Sequence, residues 1–323
     1  MKVVRTLSIC AVLLFLVAPA AALNPERDIH QFVHRSWGER DGYPGQPLAI
    51  AQTTDGFLWL GTVSGLFRFD GVHFERYVSR SGDELPKDSP VDSLLAAPDG
   101  SLWIGYEGVG IKVLRNGNVK SFRKADGVPL GDCICTIVRD HDGTIWANAG
   151  DGLIRFDGTR WEQIGHEWNF PEPKPDITTA ALFVDSQGTI WAGFDHTVLY
   201  LKQGAKRFEP TGTVAGQAIS IAEAPDGKMW MADPDTYVRA ISMSVSSKAS
   251  ATAQCEIDTP DGVTPKCPRG DSSEIQIAAA NRLLFDRRGN LWVTTDSYGL
   301  VRIPYLEMSN NQPVLESSRL RKK

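Results

Sequence analysis

Residues 50–70 read IAQTTDGFLWLGTVSGLFRFD: an alternating apolar run, an Asp-Gly pair, Leu-Trp, and a second apolar run that closes on another aspartate. Working outward, the DGFLW core at 55–59 returns as DGSLW (99–103), DGTIW (142–146), QGTIW (187–191), DGKMW (226–230) and RGNLW (288–292). Six of the nine tryptophans share one slot, spaced by 44, 43, 45, 39 and 62 residues. Such a period belongs to four-stranded propeller blades and is too long for a β-helix coil.

Each repeat can be read strand by strand. An alternating run such as LAIAQ (48–52) or AISIA (218–222) leads to the Asp-Gly turn and then to the Leu-Trp strand. A third strand such as GLFRF (65–69) follows and ends in Asp70-Gly71, Asn116-Gly117 or Asp157-Gly158; fourth strands follow at 74–77, 119–122 and 161–164. Asp-Gly and Asn-Gly suit two-residue hairpin turns, because both accept positive φ. The chain therefore reads as all-β, a β-propeller of four-stranded blades with six repeats, either closed as six blades or incomplete as seven. Residues 29–37 read as a lone fourth strand that could complete the last blade and remove both sheet edges. The repeated Asp-Gly is read as turn chemistry and not as a calcium site, and the repeated Trp as packing between neighbouring blades.

The first residues have the form of an export signal. Lys2 and Arg5 precede an apolar run at 7–17 and then Ala20-Ala21-Ala22, a run too short to cross a bilayer. Residues 1–22 are expected to be a signal peptide, 23–306 the propeller and 307–323 a polar basic tail, which places the chain in the periplasm or outside the cell after cleavage near Ala22. A net charge of -5 without a basic stripe gives no reason to expect nucleic acid. In an oxidising compartment Cys255 and Cys267, both inside the long fifth spacing, are expected to pair, which would contribute about 3 kcal/mol by restricting the unfolded chain. Cys133 and Cys135 lie at i and i+2 of one strand, a poor geometry for a mutual bond, and are read as small buried apolar residues.

These repeats resemble the two-component regulator propeller repeat, whose pattern runs I-x-x-I-x-x-D-x-x-G-x-L-W-x-G-T-x-x-G-L. Residues 50–70 are its best copy, 142–157 and 288–302 are weaker ones, and WGERDGYP at 37–44 is similar to the segment that opens such regions. The resemblance covers about 29–304. It implies the periplasmic input part of a sensor histidine kinase, in a family where seven blades are typical and many members respond to oligosaccharides. This sequence contains no kinase segment, so the reading is a stand-alone propeller or a piece of a longer receptor, with the membrane reached only through a separate kinase part.

No catalytic chemistry is expected. His30 and His34 have zinc-helix spacing, but Gln31 stands in place of the catalytic Glu and the segment reads as a strand. Neither a nucleophile elbow nor a phosphate loop occurs, so no metal, no cofactor and no enzyme activity is expected. His73, His141, His166 and His196 read as solvated. Both Asp-Gly turns share one face, so a ligand is expected on the other, among Arg40, Asp41, Tyr43, Tyr106, Glu107, Asp151, Trp168, Asp195, His196, Asp235 and Tyr298. Aromatics among carboxylates and Arg suit sugar stacking and hydroxyl recognition. The expected partner is a small molecule, an oligosaccharide or a protein. The alternatives are a propeller lyase resembling streptogramin lyase, with His196, Asp195 and Asp151 around a metal, and an envelope scaffold that binds proteins through its rim.

Overall fold

The computed structural model describes residues 39–129, 133–149, 152–172, 181–194, 196–215, 219–233, 238–241, 243, 274–275, 280–286, 288–295 and 299–303. The chain divides into two compact units, Met1–Ser36 and Trp37–Lys323, and every described residue belongs to the second. The expected signal peptide, the strand at 29–37, His30, His34, Cys255, Cys267 and the basic tail lie outside the described residues.

Six antiparallel sheets follow one another in chain order. Their first strands are Pro47–Gln52, Val91–Ala96, Ile134–Arg139, Ala181–Val184, Ser220–Glu223 and Ala280–Phe285. The tryptophan strands come second: Leu58–Thr62, Leu102–Tyr106, Ile145–Ala149, Ile190–Phe194, Met229–Ala232 and Leu291–Thr295. Four sheets have four strands, blade 2 gains a fifth from the parallel Ser81–Gly82, and blade 6 has three among the described residues. First strands touch each other in sequence from blade 1 to blade 6, as the strands nearest the axis of a propeller must. The long fifth spacing is not a connection between blades. It falls inside blade 5, between its third strand, Val238–Ala240, and its fourth, Glu274–Ile275.

Between blades, the tryptophan does the packing. Trp59 sits with Val91, Leu102 and Ile104 of blade 2; Trp103 with Ile137, Ile145 and Trp161 of blade 3; Trp146 with Leu182, Ile190 and Leu199 of blade 4. Trp191 enters blade 5 beside Ile221 and Met231, and Trp230 enters blade 6 beside Leu283 and Val293. All five are buried, as the sequence led us to expect.

The first turn differs from the expected two-residue hairpin. Asp140 N–H donates to Thr144 O at 2.9 Å and Gly143 N–H to Asp140 O at 3.1 Å, which leaves three loop residues, with Gly143 at φ 92. This is the three-residue loop that ends in a left-handed glycine. Its key carboxylate stands six residues before the tryptophan, not four. Asp140 accepts Thr144 N–H at 2.8 Å and the Trp146 indole N–H at 2.8 Å. Asp185 and Asp286 hold Trp191 and Trp292 at 2.9 and 3.0 Å, while Thr53 Oγ1 holds Trp59 at 2.9 Å. The second turn is the two-residue kind. Asp157 N–H donates to Arg160 O around Gly158, and Asn116-Gly117 both have positive φ.

Cys133 and Cys135 form a disulfide, contrary to the expectation of two independent apolar residues. Residues two apart on a regular strand are about 6.6 Å apart. Here a β-bulge between Ile134 and Thr136 draws the two Cα atoms to 5.1 Å, inside the disulfide range.

The two aspartates of one turn have separable roles. Asp140→Ala should cost about 2–3 kcal/mol, because it leaves a buried indole N–H and a turn amide without an acceptor. Asp142→Ala, whose carboxylate accepts only an exposed bond from Gln203, should stay within about 0.5–1 kcal/mol. Urea unfolding of both variants reads the difference; equal losses would mean that the indole bond carries no weight.

Candidate functional site

The residues expected on the variable face separate into different environments. Arg40 and Asp41 are exposed in a 3-10 turn, Glu39–Asp41, and Tyr43 makes an edge contact with Phe74 at 5.5 Å. Glu107 is exposed, and its N–H donates to Pro90 O. His196 is exposed with φ 62. Asp151, Asp195, Asp235 and Tyr298 lie outside the described residues.

Two of the expected contacts are structural. Tyr106 is 0% exposed, packed with Trp59, Leu66 and Val91, and its hydroxyl has no partner among the described residues. Burial pushes its phenol well above the usual range. Its place beside the second-to-third turn predicts the variable face, but strand alternation turns it toward blade 1 on the side of Leu102 and Ile104. Trp168 is half-buried in the 3-10 turn His166–Trp168, edge-on to Trp146 at 5.7 Å, with the Arg155 guanidinium 4.9 Å from its ring centre. Its face is already covered by an internal cation.

A cleft of about 660 Å3 opens on the opposite face, the one that carries the Asp-Gly turns, between blades 2 and 3. Ala97, Pro98, Trp103, Ile145 and Phe156 supply its apolar lining, and Arg139, Asp99, Asp142 and Asp157 its charges. One departure from the repeat lies in its wall. In four blades the residue six before the tryptophan carries the oxygen that holds the indole; in blade 2 that residue is Ala97. Trp103 therefore has no acceptor at that position, and the smaller side chain leaves space in front of it. Ala224 makes the same substitution before Trp230 in blade 5. Arg139 is exposed and forms no ion pair among the described residues.

Hydrogen bonds hold two of the rim carboxylates, Asp99 and Asp157, in their charged form. Asp99 is lowered below the usual carboxylate range first by the Ser101 hydroxyl, and Asp157 by the backbone N–H groups of Arg160 and Thr159. The lining thus combines apolar and aromatic surface with an unpaired guanidinium and acidic acceptors, a set suited to a hydroxyl-rich ligand.

Asp92 behaves differently, and the sequence reading missed it. It is the extra residue of a bulge between Val91 and Ser93, with one carboxylate oxygen buried and unpartnered. Burial, and then the charge of Glu107, pushes its carboxyl up to about 6. The available signal was a carboxylate inside an apolar strand, VDSLLA (91–96). Among the described residues no helix is long and apolar enough to cross a membrane.

Fold and cleft together define a β-propeller of four-stranded blades with an open pocket at one blade junction. No family model and no curated protein matches the chain. Among solved structures it is similar to the extracellular domain of BT4673 from B. thetaiotaomicron, named as a hybrid two-component system, with TM-score 0.51, 16% identity, 81% of this chain covered and 38% of that one. It therefore spans well under half of that structure. Virginiamycin B lyase from Staphylococcus aureus matches with TM-score 0.55 and 13% identity over 86% of this chain and 85% of the lyase. PorZ, a surface component of the type-IX secretion system of Porphyromonas gingivalis, matches with TM-score 0.52 and 14% identity over 79% and 40%. At these identities the likeness establishes the fold.

The burial of Tyr106 implies that Tyr106→Ala costs about 3–5 kcal/mol, whereas Tyr106→Phe, which removes an unpartnered hydroxyl, is neutral or stabilising. Thermal melts of both variants check this. For Asp92, the unfolded carboxyl titrates near 3.8 and the folded one near 6. The folded state therefore holds the extra proton between these values, and this group makes stability fall as pH rises from 4 to 6. Asp92→Asn should be more stable than the wild type by about 1–2 kcal/mol at pH 7–8, with the gap closing toward pH 4. A pH-independent gap in urea unfolding would contradict this.

Proposed function

We propose that this chain is a ligand-sensing propeller of the two-component regulator type, exported to the periplasm, which binds a small molecule or oligosaccharide and does no chemistry on it. The cleft between blades 2 and 3 carries this reading. At about 660 Å3 it is of ligand size, and Trp103 and Arg139 offer donors that the fold does not consume. Sugar hydroxyls would donate to Asp99, Asp142 and Asp157 and accept from Arg139, while ring CH faces would cover Phe156 and the exposed edge of Trp103. The motif at 50–70 and the likeness to the extracellular domain of a hybrid two-component system support the sensor assignment.

A thermal-shift screen of neutral oligosaccharides, followed by calorimetry on any ligand that raises the melting temperature, tests the reading. Arg139→Ala and Ala97→Asp, the latter refilling the slot with the acceptor found in blade 3, should each weaken binding about tenfold, or about 1.4 kcal/mol. Loss of binding through Arg40→Ala or Glu107→Ala instead would put the ligand on the variable face. The near end-to-end match with virginiamycin B lyase favours a second reading, a lyase whose metal would be held by His196 with Asp195 and Asp151. Stoichiometric divalent metal in the purified protein, lost in His196→Ala, would replace the sensor reading with that one.

A further inference from the structure

We propose that the Cys133–Cys135 disulfide is a redox-active site that exchanges electrons with thiols, and not a structural cross-link. A bulge between Ile134 and Thr136 brings the two cysteines together. The same irregularity opens the first strand of blades 1, 2 and 6, where the extra residue is Leu48, Asp92 or Asn281. Three blades build it with no sulfur nearby. The backbone geometry that sets the cysteine Cα atoms 5.1 Å apart is thus a product of the propeller, and the sulfur bond is not needed to form it.

Two consequences follow. A link between residues two apart closes a very small loop and restricts little of the unfolded chain, so its removal leaves the fold intact. The bulge also keeps the two thiols adjacent after reduction, which favours re-formation of the bond. Both cysteines are partly exposed, whereas Ile134 between them is 2% exposed, so an attacking thiolate can reach sulfur without opening the core. Exposed disulfides of this kind are the ones open to exchange.

The step balances as a two-electron exchange with a thiol reductant. A thiolate RS− attacks one Sγ, the Sγ–Sγ bond breaks, an RS–Sγ mixed disulfide forms, and the other cysteine leaves as thiolate. A second RS− attacks the sulfur of R in the mixed disulfide, which releases RSSR and the remaining cysteine thiolate. Two protons complete the dithiol, so the protein disulfide plus two RSH gives the protein dithiol plus RSSR. The change is delivered to a blade junction: the Ile134 carbonyl accepts the Ser93 hydroxyl of blade 2, and a Cβ added at Gly105 would lie 2.7 Å from that carbonyl.

The test uses the full mature protein, purified oxidised, equilibrated with dithiothreitol or with glutathione buffers of set ratio, alkylated and mapped by mass spectrometry. Cys133 and Cys135 should become alkylated together in the folded protein at millimolar dithiothreitol, and return to the bonded form on addition of glutathione disulfide. The far-UV circular dichroism should not change. The same cycle should persist in a Cys255→Ser/Cys267→Ser variant, which removes exchange with that pair as an explanation. The proposal fails if Cys133 and Cys135 are free thiols that glutathione disulfide does not oxidise, if either is bonded to Cys255 or Cys267, or if they are reduced only where the protein unfolds.

Discussion

Where blade 1 meets blade 2 and blade 2 meets blade 3, the ends of the tryptophan strands bring two backbones nearly into contact, and the indole beside each approach packs into the next blade. A Cβ added at Gly61 would lie 2.6 Å from the Val91 carbonyl, and one added at Gly105 would lie 2.7 Å from the Ile134 carbonyl. Two residues before each glycine, Trp59 and Trp103 enter the core of the next blade. The indole sets how far apart the sheets stand at one end of the strand and the glycine how close they come at the other. The turn aspartate or threonine fixes the indole in turn, by accepting its N–H in four of the six blades.

Against so regular a frame, the departures are informative. Asn148 occupies the glycine slot of blade 3, fully buried, and neither of its amide atoms has a hydrogen-bond partner among the described residues. Ala97 gives up an indole acceptor, and Asp92 puts a carboxylate on the bulge of an otherwise apolar strand. Cys135 puts sulfur on the equivalent bulge. Together with Arg139 these positions lie in blades 2 and 3. A repeat protein can absorb such losses locally, because each blade contacts only its neighbours and the remaining junctions keep their interactions.

The charge pattern has the same division. Turn carboxylates such as Asp70, Asp99 and Asp157 are held ionised by nearby N–H and hydroxyl donors, which is the ordinary economy of a capped turn. Asp92 has no donor to offset its burial and shifts the other way. A carboxylate placed between strands answers to the proton; one placed in a turn answers to the backbone.

Fold class, the number of repeats, the strand order within a blade and the burial of five of the six repeat tryptophans were legible in the residues alone, because each follows from short-range chemistry repeated along the chain. A glycine with positive φ, an indole after a turn and an alternating apolar run mean the same thing at every copy. Which face offers a cleft was not legible there, since the cleft needs Ala97 beside Trp103 together with Phe156 and Arg139 arriving from blade 3. Only the tertiary structure decided that Tyr106 and Trp168 serve packing, because whether a residue at a strand end or in a short turn is covered depends on the neighbouring blade or connection. The pairing of Cys133 with Cys135 was likewise out of reach, because an ideal strand separates them. The bulge that joins them is a property of the strand ladder, visible only when the register of Ile134 and Thr136 against Ala149 and Asn148 is known.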